Sequence, residues 1–419
     1  MRGLRTTLWL VALVSLLVLP QVAAATNGYF AHGIGIKSKG MGGAGLAYPQ
    51  DALVGGTNPA GFAFLDDRFD LGVDYFRPDR GSEISGSGAP VNMTYDANGE
   101  EAFFMPDAGV RFGLSDRIAL GLTVYGNGGM NTSYDSPIGL FGTTDAGVNL
   151  MQLFVVPSVA VSINENHAIG VGLNLAWQSF EATGLQNFDN EMMTTEPGSV
   201  TDNDASTSTG FGARIGYLGH FGCAFHAAAA YQTRTSMGEF DEYAGLFAES
   251  GGFDVPSSFS LGIAVTPNDR LVAAFDFSYI MYSEINSIAN PLLPNLGEAP
   301  LGDENAAGFG WEDMTVIKVG VAYDVTDKLT LRGGVNYGEQ PIPTSETLFN
   351  ILAPGVVETH VTFGGTWRLS ETMDISFAYM HAFENTVEGE DSIPMDFGGG
   401  EADLTMSQDS FGLGFGMGF

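Results

Sequence analysis

The side chains of this chain that could do chemistry are charges rather than nucleophiles. One spacing, Gly40-x-Gly42-x-x-Gly45, matches the loop that cradles a dinucleotide pyrophosphate. That chemistry needs a strand before the glycines and a βαβ unit around them. Residues 26–65 offer neither; they are rich in Gly and Ala and do not alternate. Small residues there allow close backbone approach, which suits a compact packed segment. The six histidines are scattered without metal-ligand spacing, and no G-x-S-x-G elbow or compact Ser/His/acid set occurs. No enzyme, metal or cofactor is expected. The single cysteine, Cys223, forbids an internal disulfide and reads as a small apolar wall residue.

The charges acquire meaning once the elements that carry them are identified. From Arg68 to Phe419 the chain alternates apolar and polar residues in paired segments. Ile118, Leu120, Leu122 and Val124 oppose Ala119, Gly121 and Thr123, for example. Short polar turns such as Leu114-Ser115-Asp116-Arg117 and Thr326-Asp327-Lys328 join the members of a pair, while long acidic or Gly/Pro-rich stretches separate the pairs. Short turns at one end and long loops at the other describe an outer-membrane barrel. The segments expected are 68–78, 102–114, 117–128, 150–163, 167–180, 209–218, 222–234, 255–266, 270–283, 312–325, 328–338, 356–369, 372–383 and 405–419. The fold class is thus all-β: a membrane-spanning antiparallel barrel of about 14 strands with both termini on the periplasmic side. A terminal Phe419 is the usual ending of barrels handled by the assembly machinery.

The rest of the chain fits an envelope protein. Arg2 and Arg5 precede an apolar run from Leu8 to Leu19, and Ala23-Ala24-Ala25 offers a cleavage site, so residues 1–25 read as a signal peptide and Thr26 as the mature start. Asp and Glu number 49 against 16 Lys and Arg, which excludes nucleic acid as a partner. The expected partners are a hydrophobic small molecule, outer-membrane lipid and lipopolysaccharide, with the protein acting as a monomer.

Three stretches carry a family resemblance: Lys37-Ser38-Lys39-Gly40-Met41-Gly42-Gly43-Ala44-Gly45, then Asp51, then Asn58-Pro59-Ala60-Gly61. They resemble the N-terminal hatch of the FadL/TodX family of outer-membrane transporters for hydrophobic compounds. The resemblance continues at Trp311-Glu312-Asp313, along Asp327 to Gly334, at Pro341-Ile342-Pro343 and along Ser376 to His381. It implies a plug at 26–65 inside a barrel at 66–419. It also implies passive uptake of long-chain fatty acids or aromatic and aliphatic hydrocarbons, with lateral release beside a kink in the third strand. A non-specific porin or a structural barrel is the alternative.

Site residues follow from both readings. Gly40, Gly42, Gly43, Gly45, Asn58, Pro59 and Ala60 form the hatch motif. By parity Arg111, Arg214, Lys318, Arg332 and Arg368 face the lumen, as do Asp70, Asp74, Asp107, Asp276, Asp324 and Asp374. These cations either hold hatch to wall or anchor a carboxylate. Leu140, Phe141, Tyr243, Leu246, Phe247 and Phe349 are the loop residues suited to ligand contact. Gly126, Gly128, Gly129 and Pro157 weaken the wall and mark the lateral gate, since proline removes a ladder donor. Glu312 stands where the family often has a basic residue, which tilts the substrate toward neutral compounds.

Overall fold

A computed structural model describes residues 27–419; the signal peptide expected over 1–25, and Thr26, lie outside the described residues. Fourteen antiparallel strands form the wall. They are β1 (Arg68–Ser85), β2 (Phe103–Ser115), β3 (Ile118–Pro137), β4 (Asp145–Asn164), β5 (His167–Thr183), β6 (Ser206–Phe221) and β7 (Phe225–Gln232). The second half comprises β8 (Ser258–Asn268), β9 (Leu271–Ile280), β10 (Met314–Thr326), β11 (Leu329–Gly338), β12 (Thr359–Arg368), β13 (Met373–Val387) and β14 (Glu401–Gly418). Each pairs with its sequence neighbour, and β14 closes on β1 from Arg68↔Gly418 to Ser85↔Glu401. Closure removes the sheet edges that lipid could not satisfy. Among the described residues no helix is long and apolar enough to cross a membrane.

The alternation decides which way each residue points. Along β5, Val171, Leu173, Leu175 and Trp177 are exposed on the outer face, whereas Gly170, Gly172, Asn174 and Ala176 face inward. An apolar exterior over a small or polar interior is the pattern lipid requires. At the periplasmic rim the terminal Phe419 ring meets Phe112 at 5.4 Å.

The strands β1, β3, β4 and β14 run longer than the alternation alone suggests, because their upper parts pair with each other above the level where other strands stop. Cys223 is exposed in the turn between β6 and β7 and is not a wall residue. The largest buried apolar cluster is built from the loops and upper strands, including Phe141, Phe180, Phe188, Phe240, Phe247 and Trp311.

Candidate functional site

Residues 27–67 pack against the inward faces of strands all round the wall, through small apolar clusters as well as polar contacts. Of three very short helical pieces, Ile36–Lys39, Ala52–Gly56 and Pro59–Phe64, the last two are tied by side-chain caps. Asp51 accepts from the Leu53 N–H at 3.1 Å, and Asn58 accepts from the Ala60 N–H at 3.1 Å. Proline opens the last piece, where its missing N–H costs nothing. Asn58 also donates to the Tyr217 carbonyl of β6 at 3.1 Å. Gly43 has φ +78°, and a Cβ there would fall 1.8 Å from the His32 carbonyl oxygen. Only glycine fits that loop.

Wall charges then grip this segment. Lys37 pairs with Asp374 at 3.0 Å, and Lys39 pairs with buried Asp74. Asp276 accepts from the Gly45 and Leu46 N–H groups at 2.7 and 2.9 Å. Asp70 accepts from Ala52 N–H at 2.9 Å. Arg332 donates to Gln50 at 2.9 Å, Lys318 to the His32 carbonyl at 2.9 Å, and Arg111 to the Phe62 carbonyl at 3.1 Å. Arg214 reaches the Gly56 and Thr57 carbonyls. Burial, with Asp70 close by, pushes the Asp51 carboxyl up to about 6. Burial and the nearby Lys39, His360 and Lys318 hold the His32 imidazole well below its usual range. Between segment and wall lies a cavity of about 120 Å³ with a mixed lining, polar at Arg214, Gln232, Asp276 and Lys318 and apolar at Phe30, Ile34 and Val316.

The extracellular end differs in kind. There the loops enclose a smaller cavity of about 40 Å³ lined by Phe141, Phe180, Phe188, Phe247, Phe309 and Phe349 together with aliphatic side chains. The rings brace one another: Phe180 meets Phe247 at 4.6 Å, and Phe188 meets Phe349 at 5.5 Å. The one side-chain polar group on this lining, the Ser287 hydroxyl, is spent on the Gly252 carbonyl at 2.5 Å. That space is large enough for only a few water molecules. A ring-sized ligand must therefore displace phenylalanines to enter.

Between these two levels the wall itself has a seam. Pairing of β3 with β2 ends at Asp107↔Tyr125, and Phe103–Pro106 pair only with β1. Asn127 is an extra residue in β3, where the register to β4 slips between Gly126↔Leu153 and Gly128↔Gln152. Bulges of this kind bend a strand and end pairing. The freed edge of β3 is satisfied from inside by the N-terminal segment. Ala31 N–H donates to the Asn127 carbonyl and Gly129 N–H to the Tyr29 carbonyl, both at 3.1 Å. Higher up, the Arg80 guanidinium takes the Asn131 carbonyl, and Ser133 pairs with Ala97 and Gly99 at 3.1 and 2.9 Å. A Cβ on Gly128 would lie 1.8 Å from the Tyr29 carbonyl oxygen, so glycine is what admits the segment to this edge.

Comparison with known proteins places this geometry. Residues 21–419 match the model of the family described as outer membrane protein transport protein (OMPP1/FadL/TodX). The chain belongs to that family. It is therefore an outer-membrane transport barrel and not an enzyme. The toluene transporter TodX of P. putida superposes with a TM-score of 0.70, covering 93% of this chain and 99% of that one at 18% identity. A Pseudomonas aeruginosa FadL homologue gives 0.71, 94%, 100% and 18%. At such identities the likeness concerns the fold. A curated relative, the 47 kDa outer membrane protein of Pasteurella multocida (strain Pm70), is 26% identical over 192 residues. That match spans 42% of this chain and 39% of the relative's length.

Within this FadL/TodX-family barrel the candidate residues scatter over several roles. Phe141, Leu246, Phe247 and Phe349 line the apolar cavity. Leu140 is buried but not on its lining, and Tyr243 works as a clamp, accepting from Ala182 N–H at 3.0 Å and donating to the Asn203 carbonyl at 2.9 Å. Arg111, Arg214, Lys318 and Arg332 are occupied by the N-terminal segment. Arg368 is not deep in the lumen: its side chain is 48% exposed, donating to the Asp327 carbonyl at the periplasmic rim, because β12 ends there. Pro157 points outward and leaves a gap in the β4–β5 ladder between Val155↔Leu175 and Ser158↔Gly172 without shifting the register. Glu312 is exposed and lines neither cavity, so it makes no direct contact with a ligand held there. Phe180, Phe188 and Phe309 on the cavity lining, and Arg80 at the seam, escaped sequence reasoning. Phe180 is an aromatic on the otherwise polar inward parity of β5, a legible signal. Arg80 lay beyond the expected end of β1.

Proposed function

We propose that this chain carries small hydrophobic molecules passively from outside into the outer membrane, in the class of long-chain fatty acids or aromatic and aliphatic hydrocarbons. The phenylalanine-lined cavity among the extracellular loops carries this reading. A lipopolysaccharide leaflet resists apolar solutes, and a water-filled pore offers them nothing; a graded apolar route does. TodX, which shares the fold, is a toluene transporter. Residues 27–67 act as the hatch, and the polar hatch region below the cavity is a poor path for an apolar ligand. Release is therefore sideways, through the β2–β3 seam at Gly126–Gly129, once Tyr29–Ala31 withdraws from the β3 edge. Delivery into lipid spares the ligand a return to water.

The test is uptake of toluene by cells producing the chain, against a variant with Asn127 deleted to remove the bulge. Uptake by the intact chain, cut at least tenfold in the deletion variant while the barrel still folds, supports lateral release. Equal uptake by both would overturn it. Liposome swelling with sugars separates the porin reading, since a hatch-filled lumen should exclude them.

A further inference from the structure

We propose that the loop end of this barrel is a charge filter, which admits uncharged aromatic ligands and turns away their carboxylates. The inference rests on the function proposed above and narrows its substrate class. Among the described residues no cation lines the apolar cavity, so a carboxylate entering it would lose its water and gain no partner. A buried acid beside this lining reinforces this. Glu346 sits on the same short loop as Phe349, with its Oε2 accepting from Leu292 N–H at 2.7 Å, and a Cβ at Gly310, next to Phe309, would lie 2.5 Å from that carboxylate.

The surrounding field has the same sign. The loops that supply the phenylalanines expose Glu191, Glu196, Asp241, Glu242, Glu298 and Glu304. Among the described residues the extracellular connections hold one cation, Arg234, and Asp254 neutralises it at 2.6 Å. The other cations near this end are committed as well. Arg77 pairs with Glu101 at 3.0 Å, and Arg80 is buried against the Asn131 and Glu100 carbonyls. A mouth of one charge sign over low-dielectric walls concentrates that field and repels like-charged solutes, with an effect that salt screens. The phenylalanine faces add nothing for an anion, since their π quadrupole favours cations.

The experiment uses the full chain in detergent and three ligands on one skeleton: methyl benzoate, benzoate and benzyltrimethylammonium, each titrated at low and high NaCl. Methyl benzoate should bind with little dependence on salt. Benzoate should bind at least tenfold more weakly at low salt, with the gap narrowing several-fold at high salt. The cation should bind better than benzoate and weaken as salt rises. The triple variant E191Q/E298Q/E304Q should narrow the benzoate gap at low salt and leave methyl benzoate unchanged. Benzoate binding within threefold of the ester, or a gap indifferent to salt, would sink the filter and leave the conduit standing. If the ester also fails to bind, the conduit itself falls and the filter with it.

Discussion

At the loop end Phe180 meets Phe247 at 4.6 Å, and the lining around them carries no charge. At the periplasmic end Lys37 meets Asp374 at 3.0 Å, Arg68 meets Asp70 at 2.6 Å, and the N-terminal segment hangs from wall carboxylates and guanidinium groups. Both regions fill the same barrel, yet they use opposite materials. Apolar packing is non-directional and tolerates a guest ring in place of a host ring. Buried ion pairs are directional, and removing one partner strands the other. On the function proposed above, the upper region yields to a ligand while the lower one holds its shape, and the bulged seam where N-terminal backbone completes β3 lies between them.

The sharpest way to break that contrast is at the ionic end. Lys39→Ala leaves Asp74 buried without its cation, at a cost of about 3–5 kcal/mol to hatch docking. Hydrogen exchange over residues 36–56 should rise accordingly, and the barrel strands should not change. Adding Asp74→Ala should recover most of the protection, since the stranded charge is then gone. If the single variant exchanges like the parent, the hatch is not held ionically.

The matching perturbation at the apolar end is Phe349→Asp. A carboxylate placed among phenylalanines has no partner, so binding of methyl benzoate should weaken by more than tenfold in a titration. Hatch exchange should stay as it was. An effect on both regions at once would show that they are one cooperative body and not two.

A third, smaller effect is read by pH. Asp51 titrates near 6 when the hatch is docked and near the ordinary carboxylate value when it is not. The docked state therefore binds more protons between those values, and docking weakens as pH rises from about 4 to about 6. Asp51→Asn keeps the acceptor for Leu53 N–H and should flatten the profile of hatch exchange in that window. A slope of equal size in the variant would assign the titration to another group.

How much of this could be read from residues alone differs between the two regions. The wall was legible because alternation is local: each residue of β5 announces its face by its neighbours two positions away. Parity also singled out Arg111, Arg214, Lys318 and Arg332 as inward. It could not say that each would meet a hatch carbonyl or amide, because those contacts join residues up to 286 positions apart, as in Lys318 with His32. The aromatic cavity was half legible. Phe141, Phe247 and Phe349 stand out in polar loops, but Phe309 hides in a Gly-rich run, and only the folded loops bring it to the others. The seam showed in sequence as a cluster of glycines, while the backbone that covers it, at Tyr29–Ala31, comes from a segment lacking any rhythm.

The smallest prediction sets the floor of the comparison. Arg368 shares the inward parity of Arg214 but ends on the exposed rim, 3.8 Å from Asp324. Exposed pairs in water contribute little, because solvent screens them and two long side chains must be ordered to form them. Arg368→Ala should change thermal stability and hatch exchange by less than about 0.5 kcal/mol. Arg214→Ala frees the Gly56 carbonyl and the Tyr125 and Gln232 side chains in a buried setting, and should cost more than about 1 kcal/mol. Equal losses from the two would mean that the parity of a charge matters and its depth does not. The contrast drawn between the ends of this lumen would then have to be rebuilt on position around the barrel instead of position along it.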